Sequence, residues 1–265
     1  MLMNAAVYGD RHHAFLTLGG VVSALWQQHH CPDTVRMDLA RLHDDLDDLL
    51  TRGLGFRVFA YGSLLWRPAF APVECLTARV QGWHRALRMR SRVNRGTPDC
   101  PGLVFALLPG GSCRGELHRE EAGRAHATLD ALWEREMPGG GVYQPRWLQA
   151  LTPQGRLPAL AFTLPPRHPS HVGRLDDAAL LRILAQARGR YGSTLDYLLR
   201  TAERLDQLGI RDAEVSRLVD LAERHGLTDR ERRLGRDQPL EILAGIDVDQ
   251  HAGVVDLHAM RGVGR

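Results

Sequence analysis

A chain of 265 residues with 44% apolar and 25% charged side chains has material for a sizeable core and the proportions of a soluble globular protein. No apolar run approaches the roughly 18 residues of a membrane span, and the opening MLMNAAVYGDRHHAFLTLGG lacks the basic start and long apolar core of a secretory signal, so a cytoplasmic protein with no membrane partner is expected. The formal charge is +3, and all 34 basic side chains other than histidine are arginines interspersed with acids rather than gathered in a patch, which speaks against nucleic acid as a partner.

In chain order, residues 1–37 give mixed signals. His12, His13, His29 and His30 stand in no metal-ligand spacing and have no clustered acid or cysteine beside them, so no metal is expected there. Cys31, Cys75, Cys100 and Cys113 are far apart without C-x-x-C spacing, which argues for reduced thiols and against a disulfide framework or a zinc knuckle. Leu39, Leu42, Leu46, Leu49 and Leu50 form one stripe at helical spacing, predicting a helix over 38–51 that Gly53 ends.

The next stretch, VFAYGSLLW (58–66), is an apolar run broken by Tyr61, Gly62 and Ser63. A glycine there fits either an ordinary turn or a backbone cradle for a small anionic substrate. From 56 to 164 the pattern is strand-like: ALRMRS (86–91) alternates, GLVFALL (102–108) is bounded by DCPG and PGGS, CRGELHR (113–119) alternates again, and RWLQAL and LPALAFTL flank the turn TPQG. Short strands with Gly and Pro punctuation predict a small antiparallel barrel or strongly curled sheet. One helix, roughly 120–137, interrupts them.

From 176 the chain reads as helix. DDAALLRILAQARG runs to a stop at Gly189; the next helix opens with Ser193 and Asp196 in capping-box spacing and ends at Gly209; a third runs from Asp212 to Gly226. The divisions expected are an N-terminal extension over 1–52, a main domain over 53–227 and a tail over 228–265.

The interrupting helix carries an acid on its apolar side. Ala125, Leu129, Leu132 and Trp133 form the stripe, and Glu136 follows Leu129, Leu132 and Trp133 at helical spacings, whereas Glu134 falls on the polar side. A buried carboxylate is either paired or has its pKa raised. The C-terminal end of the helix dipole pushes in the same direction. Such a glutamate is suited to proton transfer near neutral pH, and a structural salt bridge to an arginine is the alternative. No G-x-S-x-G elbow, dinucleotide fingerprint or P-loop is present.

Taken in register, VFAYGSLLW, GWHRAL, RGTPDCPGLVFAL, GGSCRGELHR, LWEREM, GVYQPRWL, ALAFTLPPRHPSHVG and YGSTLDYLLRTAERLDQLGIRDAEV resemble the ChaC family of gamma-glutamylcyclotransferases, above all its bacterial branch, over about residues 56–220. The resemblance implies an α+β fold: a small, mostly antiparallel β-barrel with flanking helices and a helical C-terminal part. It implies a lyase that degrades glutathione to 5-oxoproline and cysteinylglycine without metal or cofactor. It places the catalytic glutamate at Glu136, the substrate loop at Val58, Phe59, Ala60, Tyr61, Gly62, Ser63 and Leu64, and a substrate-adjacent tyrosine at Tyr143. Many members have glycine where this chain has Ala60. Arg92 and Arg95 are either partners for the glycine carboxylate of glutathione or solvent-exposed loop arginines.

Overall fold

The computed structural model describes residues 33–138, 141–229 and 231. The described residues gather into two units, one of those up to Met89 with Phe105–Val172, the other of Arg90–Val104 with those from Gly173. His12, His13, His29, His30, Cys31 and nearly all of the tail lie outside the described residues.

In the first unit the leucine stripe forms helix α1 (Asp33–Thr51), which begins earlier than residue 38. Leu42, Leu46 and Leu49 are buried. Gly53, at φ 71°, closes it: the Gly53 and Leu54 amides donate to the carbonyls of Leu50 and Leu49, the paired bonds of a glycine C-cap.

Five strands follow: β1 (Arg57–Ala60), β2 (Glu74–Ser91), β3 (Gly102–Arg119), β4 (Gln144–Thr152) and β5 (Gly155–Thr163). They close into a barrel in the order β1-β3-β2-β4-β5. The pairs β1–β3, β2–β4 and β4–β5 are antiparallel, as expected, and the seam β1–β5 is parallel, through Val58 and Leu160. Phe59, Phe105, Leu107, Leu117 and Leu160 are almost wholly buried, each worth about 1.5–3 kcal/mol of transfer free energy. The β4–β5 hairpin turns at TPQG, where the Thr152 hydroxyl donates to the Gly155 carbonyl.

One expectation is corrected here. GLVFALL and CRGELHR are not separate strands; β3 runs through PGGS without ending. Pro109, Gly110, Gly111 and Ser112 are exposed, and Gly110 and Gly111 take φ of 99° and 68°. The left-handed backbone that glycine tolerates lets the strand bend rather than stop.

Helix α2 (Ala125–Glu136) follows a short 3-10 turn, Ala122–Arg124. Ala125, Leu129 and Leu132 are fully buried. A chain of polar contacts joins it to α1: His43 Nδ1 lies 2.8 Å from His126 Nδ1, His43 Nε2 lies 2.8 Å from Asp130 Oδ1, and His126 Nε2 lies 2.9 Å from Asp47 Oδ1. The two imidazole rings stack with centroids 5.1 Å apart.

The second unit holds α3 (Asp177–Gln186), the two-residue strands β6 (Arg188–Gly189) and β7 (Gly192–Ser193), α4 (Thr194–Gln207) and α5 (Ala213–Arg224). Asp176, Ser193 and Asp212 cap the three helices, accepting from the amides of Ala179, Asp196 and Val215. Helix α3 stops at Gln186, short of Gly189. Gly189 instead pairs with Gly192 and approaches Gly96 and Val93 so closely that a Cβ would lie 2.5 Å from the Gly96 nitrogen and the Val93 oxygen. It is a packing glycine, not a helix stop.

Candidate active site

Strand β1 ends in the turn that interrupts the apolar run. Val58, Phe59 and Ala60 are buried ladder residues opposite His118, Leu117 and Glu116. They hold the turn rather than face solvent. Tyr61 is fixed from two sides: its hydroxyl donates to the Phe162 carbonyl at 2.7 Å, and its own carbonyl accepts from Arg85 Nε at 2.6 Å. Buried Arg85 also donates to the Arg114 carbonyl.

Gly62 caps a single 3-10 turn, Ser63–Leu65. The Gly62 carbonyl accepts from Leu65, and the Ser63 carbonyl accepts from Trp66 and Arg67. The carbonyls are thus used by the turn, while the leading amides, Ser63 and Leu64, have no partner within it. The stretch is a turn, and its opening N–H groups are not used by its own hydrogen bonds.

Glu136 is the last residue of α2, with its side chain 15% exposed and Oε1 3.2 Å from Arg135 Nε. Burial pushes its pKa up, and the Arg135 charge and hydrogen bond oppose the shift without cancelling it. The carboxylate is therefore both desolvated and paired. Arg135 Nη2 in addition donates to the Arg67 carbonyl at 3.1 Å. One guanidinium so ties Glu136 to the segment leaving the Tyr61–Leu65 turn.

Buried Met137 lies against Gly141. Gly141 has φ 75°, and a side chain there would collide with the Met137 thioether. Tyr143 then meets Phe162 edge-on, centroids 6.1 Å apart. Phe162 therefore touches both predicted tyrosines, Tyr61 through its carbonyl and Tyr143 through its ring. Phe162, Arg85 and Arg135 escaped the sequence reading. Only Arg135 left a signal, its place beside Glu136.

The loop arginines part company. Arg92 is exposed. Arg95 is not a solvent-exposed loop arginine: it is 5% exposed, with Nη1 2.8 Å from Asp196 Oδ2 and 3.3 Å from the Ser193 carbonyl. That pair fastens the RGTPDCPG loop to the start of α4 inside the second unit. One mixed donor cluster occurs among the described residues, Cys75 with Glu116 and His118. No helix among them is long and apolar enough to cross a membrane.

A small closed barrel that presents a glycine turn at the end of β1 and a desolvated glutamate at the end of its one inserted helix defines a gamma-glutamylcyclotransferase-like fold. The solved structure of a gamma-glutamylcyclotransferase specific to glutathione from yeast shares that fold, with a TM-score of 0.57 at 19% identity over 64% of this chain and 99% of that one. The family described as ChaC-like protein matches residues 56–225, and the chain belongs to it. Its relatives include the glutathione-specific gamma-glutamylcyclotransferase of Escherichia coli (strain K12), 35% identical over 61% of this chain and 70% of that protein. Another is the human glutathione-specific gamma-glutamylcyclotransferase 1, 30% identical over 62% and 76%.

Proposed function

We propose that this protein cleaves reduced glutathione to 5-oxoproline and cysteinylglycine, with Glu136 as the proton-transfer group. The observation that carries the mechanism is a desolvated carboxylate, raised in pKa, tied through Arg135 to the backbone leaving the glycine turn. The substrate brings its own nucleophile. Its α-amine attacks the γ-carbonyl carbon, a lactam C–N bond forms, and the bond to the cysteinyl nitrogen breaks. Glu136 takes the proton that the amine loses and returns it to the departing nitrogen, so no proton is gained or lost overall. Holding amine and carbonyl in contact supplies much of the rate. In this reading the leading amides of the turn and the Ser63 hydroxyl serve the α-carboxylate and the developing oxyanion. Val58, Phe59 and Ala60 hold that turn in register, and Tyr143 borders the substrate from the Phe162 side.

The test is to incubate the purified protein with reduced glutathione and follow both products by mass spectrometry. Equal amounts of 5-oxoproline and cysteinylglycine are expected. Their absence, with 5-oxoproline released from another gamma-glutamyl amino acid, would reassign the substrate; no product from any would overturn the activity.

A further inference from the structure

Three donors of different chemistry converge where strand β3 runs beside the start of strand β2. Glu116 and His118 lie two apart on β3, so they share one face of the strand. They stand opposite Ala60 and Val58 of β1. His118 Nε2 is 2.9 Å from Glu116 Oε2, and their side chains are 4% and 5% exposed. Cys75, near the start of the neighbouring strand β2, brings its thiol into the same space: one ligand atom from each of the three residues lies within 4.8 Å of the others. The Phe70 ring closes edge-on against His118.

We propose that Cys75, Glu116 and His118 form a binding site for a thiophilic divalent cation of the zinc type. Sulfur, imidazole nitrogen and carboxylate oxygen are the three donor classes zinc accepts, and three protein ligands leave one position open. Calcium and magnesium, which take oxygen ligands, are not matched by this set. Charge points the same way. A buried glutamate and histidine bearing opposite charges are costly to desolvate. With a thiolate, a carboxylate and a neutral imidazole around a dication, the formal charges sum to zero. The strand ladder holds two of the donors before any ion arrives, and exposed Cys75 gives the ion a way in. On binding, the thiol proton and any second imidazole proton leave to solvent. The site does not depend on the proposed activity. Cys75 is about forty residues from Glu116 and His118 along the chain, so no spacing motif announces the set.

The experiment uses the full chain, stripped with chelator and titrated with cobalt(II) and then with zinc against a chromophoric chelator. Expected is one cobalt per chain with a thiolate-to-cobalt charge-transfer band. In Cys75→Ser the band should vanish and zinc affinity should fall more than about tenfold, the lower end of what even a lost supporting contact costs a metal site. Zinc should also slow alkylation of Cys75, mapped by mass spectrometry, while leaving Cys100 unchanged; that readout needs no variant to fold. A band that persists in Cys75→Ser, no thiolate band at all, or alkylation of Cys75 indifferent to zinc would each overturn the site.

Discussion

At the scale of single residues, Glu136 and Arg135 work against each other. Burial favours the protonated carboxyl, and the neighbouring guanidinium favours the carboxylate. The base proposed at Glu136 would act ionised, so on that proposal turnover is expected to fall on acidification at a pH above the ordinary glutamate value of about 4.3. Arg135→Met removes the opposing charge; the acidic limb of the kcat/KM profile should then move to higher pH, and an unmoved limb would separate Arg135 from the proton-transfer step. Glu136→Gln should lower kcat by about 10²–10⁴-fold, the usual worth of a general acid–base. The stability effect has the opposite sign. A carboxyl whose pKa is higher in the folded state binds more protons folded than unfolded, so its contribution declines as pH rises from the unfolded value through the folded one. Near neutral pH, Glu136→Gln is therefore expected to melt no lower than the parent in calorimetry. Tyr61→Phe removes the buried hydroxyl that reaches the Phe162 carbonyl. It should cost about 1–3 kcal/mol in a denaturant titration, because the acceptor is left unpaired.

At the scale of elements, local signals were legible and close approaches were not. The leucine stripe of α1, the acid placed on the buried side of α2, the Ser193 and Asp212 caps and the glycine after α4 all follow from spacing over a few residues. Only half of the expected capping box at Ser193 forms, because the Asp196 carboxylate is drawn away to Arg95 and Arg200. That competition involves a residue distant in sequence and leaves no local trace. Gly189 read as a helix stop for the same reason, since what requires glycine there is backbone from residues 93 and 96. Gly102 is a similar case: a methyl group would meet the Arg95 carbonyl and the Thr194 hydroxyl. Gly102→Ala is expected to destabilise the loop–α4 contact by more than about 1 kcal/mol, as overpacking against backbone does, seen as a lower midpoint in thermal melting. The paired histidines between α1 and α2 are another product of distance. In His126→Leu, amides of α1 should exchange with deuterium faster while those of β4 and β5 keep their protection.

For the molecule as a whole, the barrel class was legible from strand-like runs punctuated by Gly and Pro, although two of those runs are one strand. The closing pair was not. Val58 and Leu160 meet in a parallel seam that no hairpin signal announces, because parallel neighbours need a long crossover. The bend in β3 was hidden too, since Pro and Gly normally punctuate strands.

That seam orders events in time. Contacts between residues far apart along the chain form slowly, since their loop-closure entropy must be met before they contribute. A chain emerging from synthesis carries the turn from Tyr61 onward, then Glu136, long before β5 exists. Until Phe162 follows, Tyr61 Oη lacks the carbonyl it binds in the finished fold, and Tyr143 lacks the ring it leans on. A chain cut after β4 therefore holds every predicted site residue and none of the closure that brings two of them to the same strand.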